Sequence, residues 1–104
     1  MSNYVLAYTG GSMAETEEEQ AAAMAAWGAW IGGLGDSLVD AGNPFGASAS
    51  VASDGATTEG GASGLTGYSI ISADSLDAAT VATKGCPVFT SGGAIEVYEI
   101  FPVM

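Results

Sequence analysis

The chain has 104 residues, enough for one domain with one modest core, and its composition, 48% apolar and 12% charged, sets it apart from disordered acidic tails. Lys84 is the single basic residue against twelve acids, and the formal charge is −11. With neither Arg nor His, the chain cannot clamp nucleic-acid phosphates, dock on an anionic membrane, or build a Ser-His-Asp triad, a Cys-His pair or a histidine metal site.

Asn3 to Thr9 predicts a strand, because Tyr4, Leu6 and Tyr8 alternate with Val5, Ala7 and Thr9. Gly10-Gly11 ends it. Thr16 is an N-cap, and Glu19 three residues later completes a capping box. Glu17, Glu18 and Glu19 suit the positive end of a helix dipole. Met24, Trp27, Ile31, Leu34 and Leu38 follow at spacings of three and four, and Ala23 and Trp30 widen the stripe. They predict a helix closed by Gly42, with Asn43-Pro44 preventing continuation. Gly28, Gly32, Gly33 and Gly35 oppose it by up to about 1 kcal/mol each. Packing must hold this helix, and the glycines are expected to admit a close backbone.

Ala47 to Ser53 predicts a weak strand around Val51, and Asp54 to Gly64 a loop. Thr66 to Ser72 is a firmer strand, so the pair makes a long hairpin. Asp74 or Ser75 caps a second helix, Leu76 to Lys84. Gly85 ends it and Pro87 prevents a restart. A loop with Gly92-Gly93 leads to the last strand, Ala94 to Phe101. There Ile95, Val97 and Phe101 share one face, and Glu96, Tyr98 and Ile100 the other.

The order β-α-β-β-α-β is the ferredoxin-like plan: an α+β fold whose four-stranded antiparallel sheet carries both helices on one face. No repeat or boundary divides the chain, so residues 1–104 read as a single domain. Two helices cover one sheet face only. Tyr4, Leu6 and Tyr8 oppose Val5 and Ala7, and Tyr98 and Ile100 oppose Val97 and Phe101, so both faces are apolar. A twofold homodimer through the free sheet face is therefore expected. A face wetted by Ser and Thr would instead leave a monomer.

Cys86 is the lone cysteine, so no disulfide staples the chain. That usage fits a reducing cytoplasm. The opening residues lack the basic and long apolar regions of a signal peptide, and no apolar run is long enough to span a membrane.

In order and spacing, several segments resemble the YCII-related family of small dimeric α/β-barrel proteins. They are Tyr4-Val5-Leu6-Ala7-Tyr8, then Trp27-x-x-Trp30 with Leu38-Val39-Asp40-Ala41-Gly42, then Gly67-Tyr68-Ser69-Ile70-Ile71 with Ala73-Asp74-Ser75-Leu76-Asp77-Ala78-Ala79, then Cys86-Pro87 and Ile95-Glu96-Val97. The resemblance implies a ferredoxin-like subunit that pairs sheet to sheet, with a pocket between sheet and helices. It also implies a fold similar to muconolactone isomerases and small cofactor-free monooxygenases. Some family members carry a histidine on the first helix, proposed to pair with an acid. Here that segment is Ala23-Met24-Ala25, and the Asp-Gly-Pro-Phe hairpin motif of another branch reads Asp54-Gly55-Ala56-Thr57. Histidine-dependent chemistry does not carry over.

The candidates for lining the pocket are Tyr4, Tyr8, Trp27, Asp40, Tyr68, Glu96 and Tyr98. Asp40, near a helix end, would have its pKa raised if buried and could then serve as a base; a solvated acid is the simpler reading. The tyrosines could converge their hydroxyls, or serve as packing on a half-buried sheet. Glu96 and Glu99 fall on opposite faces of the last strand, and the inward one would need a proton, a hydrogen bond or a metal. The acids from Glu15 to Glu19 lack calcium-loop spacing, and Gly10-Gly11-Ser12 lacks the lysine of a phosphate cradle. Catalytic residues stay unassigned, and neither metal nor cofactor is expected. Two functions stand open: binding of a small neutral or hydrophobic molecule, and a cofactor-free isomerase, lyase or oxygenase using Tyr and a carboxylate. A protein-interaction module is a third.

Overall fold

The computed structural model describes residues 2–10, 15–61 and 63–101; Gly11 and Ser12, weighed above as part of a phosphate cradle, lie outside them. Alternation at the start of the chain does build a strand, β1 (Ser2–Thr9). Its even-numbered residues Tyr4, Leu6 and Tyr8 are buried. The other strands are β2 (Leu38–Asp40), β3 (Ala49–Val51), β4 (Thr57–Glu59), β5 (Leu65–Ala73) and β6 (Ala94–Ile100). The main sheet has four strands in the order β2-β5-β1-β6, all paired antiparallel. β3 and β4 form a separate two-stranded ribbon.

The helices are α1 (Glu17–Leu34) and α2 (Leu76–Ala82). Thr16 caps α1, its hydroxyl accepting from the Glu19 N–H at 3.1 Å. The Glu19 carboxylate reaches back one residue beyond the cap, accepting from the Glu15 N–H at 2.9 Å. Ser75 caps α2 by accepting from the Ala78 N–H at 3.0 Å.

One sheet face carries the core. Register places Tyr4 beside Ile71, Leu6 beside Ser69 and Val97, and Tyr8 beside Gly67 and Ile95. Leu6 and Ile71 are fully buried. Trp27, Trp30 and Leu34 from α1, with Ala79 and Ala82 from α2, pack on the cluster these residues form. Full burial of a Leu or Ile side chain stabilises by roughly 1.5–3 kcal/mol. The Trp30 indole N–H donates to the Ala82 carbonyl at 3.2 Å, tying one helix to the other.

Four expectations from the sequence are corrected here. First, α1 stops at Leu34 instead of running on toward Gly42. Gly35 turns the chain at φ 55°, a short 3₁₀ turn follows, and Leu38 enters the sheet beside Ile71. Pairing with an open strand edge outweighs the helical spacing of Leu34 and Leu38.

Second, that short strand, not the 47–53 segment, pairs with β5. Val51 is exposed, and its strand pairs with residues expected to be loop. A sequence of small residues offers the main sheet too little apolar surface.

Third, the helical stripe is narrower than its spacing suggests. Met24 is 76% exposed, and added Cβ atoms at Gly28, Gly32 and Gly33 would touch nothing within 4 Å. No backbone approaches those glycines among the described residues.

Fourth, α2 ends at Ala82 and tightens into a 3₁₀ turn over Thr83–Gly85. A second 3₁₀ turn, Pro87–Ser91, replaces the expected loop, with Pro at its start where a missing N–H costs least.

Candidate functional site

A half-open cavity of about 460 Å³ lies at the Tyr8 end of the core face. Tyr8, Gly67 and Ser69 line it from the sheet, Trp27 and Ile31 from α1, and Val88 and Ser91 from the 3₁₀ turn after Cys86. The segment Ala41 to Pro44 closes another side. This segment runs on from β2 along β5. The Tyr68 N–H donates to the Asn43 carbonyl at 3.3 Å, and the Phe45 N–H to the Thr66 carbonyl at 2.9 Å.

Glycine permits this close wall. Gly42 has φ 78°, and a Cβ there would collide with the Tyr68 carbonyl. Opposite, a Cβ on Gly67 would lie 3.1 Å from the Asn43 carbonyl oxygen. Between Tyr8 and Thr9 the β1–β5 register slips, leaving Thr66 without a register partner on β1. Its hydroxyl donates instead to the Tyr8 carbonyl at 3.2 Å.

The polar centre is a directed relay. The Tyr8 phenol donates to Ser69 Oγ at 2.7 Å, and Ser69 Oγ donates to the Ala41 carbonyl at 2.7 Å. The carbonyl sets the direction, because it can only accept. Burial pushes the Tyr8 phenol up to about 12, with the nearby Cys86 adding. Tyr8 is thus a protonated phenol near neutral pH, not a base. Trp27 meets its ring edge to face, centroids 5.3 Å apart and planes at 83°.

Of the residues expected to line the cavity, Tyr8, Trp27 and Tyr68 do so. Tyr68 is one position out of phase with Ser69, which assigns its side chain to the opposite sheet face, and its ring stacks on Phe45 with centroids 5.7 Å apart. Tyr4, Asp40, Glu96 and Tyr98 do not line it. Tyr4 shares the inward face but is packed in the core farther along β1, where burial first and the Glu99 charge second push its phenol up. Asp40 lies in β2 rather than at a helix end, is exposed, and accepts from the Gly42 N–H at 2.8 Å. That bond shapes the cavity wall without placing a carboxylate in it.

Glu96 and Tyr98 sit side by side on the sheet face away from the helices. The Tyr98 hydroxyl donates to the Glu96 carboxylate at 2.6 Å, which pushes the phenol up. Glu99 is the acid on the helix-bearing face, beside Tyr4. Cys86 is buried in the core, and that burial pushes its thiol up.

Ser69, Ile31, Val88 and Ser91 were not singled out as site residues by the sequence. Ser69 is marked by register and not by the sequence alone. It shares its strand face with Ile71 in a strand flanking β1, so it is a small polar group at an inward register position.

The model of the YCII-related domain matches residues 1–104, the whole chain. The chain belongs to the YCII-related domain family. No curated protein and no solved structure matches it. Within this YCII-related chain, no helix among the described residues is long and apolar enough to cross a membrane.

Proposed function

We propose that this YCII-related domain binds a small, mainly apolar, uncharged molecule in the cavity bounded by Tyr8 and Trp27. One observation carries the reading. About 460 Å³ of space lies against Tyr8, Trp27, Ile31, Pro44 and Val88, and no Asp, Glu or Lys lines it. Volume and lining of this kind suit small-molecule sites. An ion would lose hydration there without gaining a partner. A Tyr–carboxylate enzyme is the weaker reading, because the lining lacks a carboxylate and Tyr8 is held as a phenol.

The same reading makes the subunit ferredoxin-like and the working unit a cytoplasmic homodimer. The order β2-β5-β1-β6 with antiparallel pairing supports the first part. The face away from the helices supports the dimer. Val5, Tyr68 and Ile70 are half-buried there, while Tyr98 and Ile100 are exposed. A second copy presents the same apolar surface across a twofold axis.

Calorimetric titration with indole, a neutral bicyclic probe, tests the binding. Saturable one-to-one heat is expected, and Ile31→Trp, which fills the cavity, should abolish it. Unchanged binding by the filled variant would overturn the reading.

A further inference from the structure

The hydroxyls around the cavity share one property. Each spends its proton on the protein itself. Tyr8 donates to Ser69, and Ser69 to the Ala41 carbonyl. Thr66 donates to the Tyr8 carbonyl at 3.2 Å, and Ser91 to the Val88 carbonyl at 3.1 Å. Three of these acceptors are carbonyls, which cannot reverse the bond, and the Ser69 donation then obliges Tyr8 to donate as well. What remains for a ligand on every one of these oxygens is lone pairs. Asn43 is the exception, an exposed lining residue whose side-chain amide both donates and accepts.

We infer that the cavity selects neutral, mainly apolar molecules bearing an N–H or O–H donor, such as a phenol, an alcohol, a secondary amide or an indole-like ring. This rests on the cavity being a binding site and specifies its ligand class. A ligand offering only acceptors would set oxygen against oxygen and leave both unsatisfied. An anion finds no cation: Lys84, the single basic residue, is exposed and outside the lining. An ammonium finds no lining carboxylate. A neutral donor gains a hydrogen bond at any of these hydroxyls without stranding a charge.

Indole and benzofuran have nearly the same shape, but the first carries a ring N–H and the second an oxygen that accepts. Titrations followed through backbone amide shifts of the full chain should show indole binding about tenfold more tightly, the worth of one buried hydrogen bond gained against one left unmade. Both titrations should move amides of Gly42, Gly67, Ser69 and Ser91. Equal affinities at those amides would overturn the donor preference while leaving the binding site standing. Failure of both probes to move them would remove the site, and the preference with it.

Discussion

Tyr8 and Ser69 are 61 positions apart in the chain, yet their hydroxyl oxygens lie 2.7 Å apart. The Ser69 hydroxyl donates in turn to the Ala41 carbonyl. Strand β1, strand β5 and the wall after β2 therefore meet in one directed chain. A buried relay whose members are all satisfied specifies a unique geometry; a broken one destabilises it.

The raised Tyr8 phenol makes stability depend on alkaline pH. Its folded pKa, about 12, lies above the ordinary value of 10.0, so the folded state holds the proton more tightly. The unfolded chain then releases its proton first as pH rises. The contribution is complete below the ordinary value and declines as pH climbs through about 12. Tyrosinate absorbance of the folded protein should show a late-ionising phase, and Tyr8→Phe should reduce its amplitude, Tyr4 and Tyr98 being pushed up as well.

Ser69→Ala takes away the acceptor of one buried hydroxyl and the donor of a carbonyl. The expected cost is about 1–3 kcal/mol, read as a melting-temperature fall of roughly 4–20 °C. Tyr8→Phe leaves the Ser69–Ala41 bond intact. The double variant should therefore cost less than the sum of the singles, by at least about 0.5 kcal/mol in a thermal-melt cycle.

Two glycines should respond in opposite directions. Gly42 has positive φ and no room for a Cβ against the Tyr68 carbonyl, so Gly42→Ala should destabilise by more than about 1 kcal/mol. Gly32 sits in α1 with nothing within 4 Å, so Gly32→Ala should stabilise by about 0.5–1 kcal/mol. Urea unfolding of both variants checks the contrast.

Strong local signals carried over from sequence to structure. Alternation at Tyr4, Leu6 and Tyr8, the Thr16 and Ser75 caps, and the Ile95–Val97 pattern each mark an element that forms. The edge strand Leu38–Asp40 was hidden because a spacing of four between Leu34 and Leu38 suits a helix as well. The turn at Gly35, among other glycines, settles it only in three dimensions. The site was legible where large aromatic residues form it, at Tyr8 and Trp27. It was illegible where tertiary register matters: Ser69 looks like any strand serine until Leu6 is placed beside it. Glu96 and Tyr98 pair with each other, on the face that strand parity assigns them.

The free sheet face should hold two copies together. Light scattering at micromolar concentration is expected to give twice the 10.2 kDa chain mass. Ile100→Glu places a charge on that face at a residue already 40% exposed in the single chain. It should halve the mass while leaving the far-ultraviolet circular dichroism unchanged. A wild-type particle of single-chain mass would dismiss the dimer.

The cavity beside Tyr8 and Trp27 is best tested by an amide-resolved titration of the isotopically labelled protein with indole. The expected result is saturable shifts concentrated at Gly42, Gly67, Ser69 and Ser91, with β6 residues such as Tyr98 unmoved. Saturable shifts clustered on the Val5–Tyr98 face, with the cavity residues silent, would contradict it.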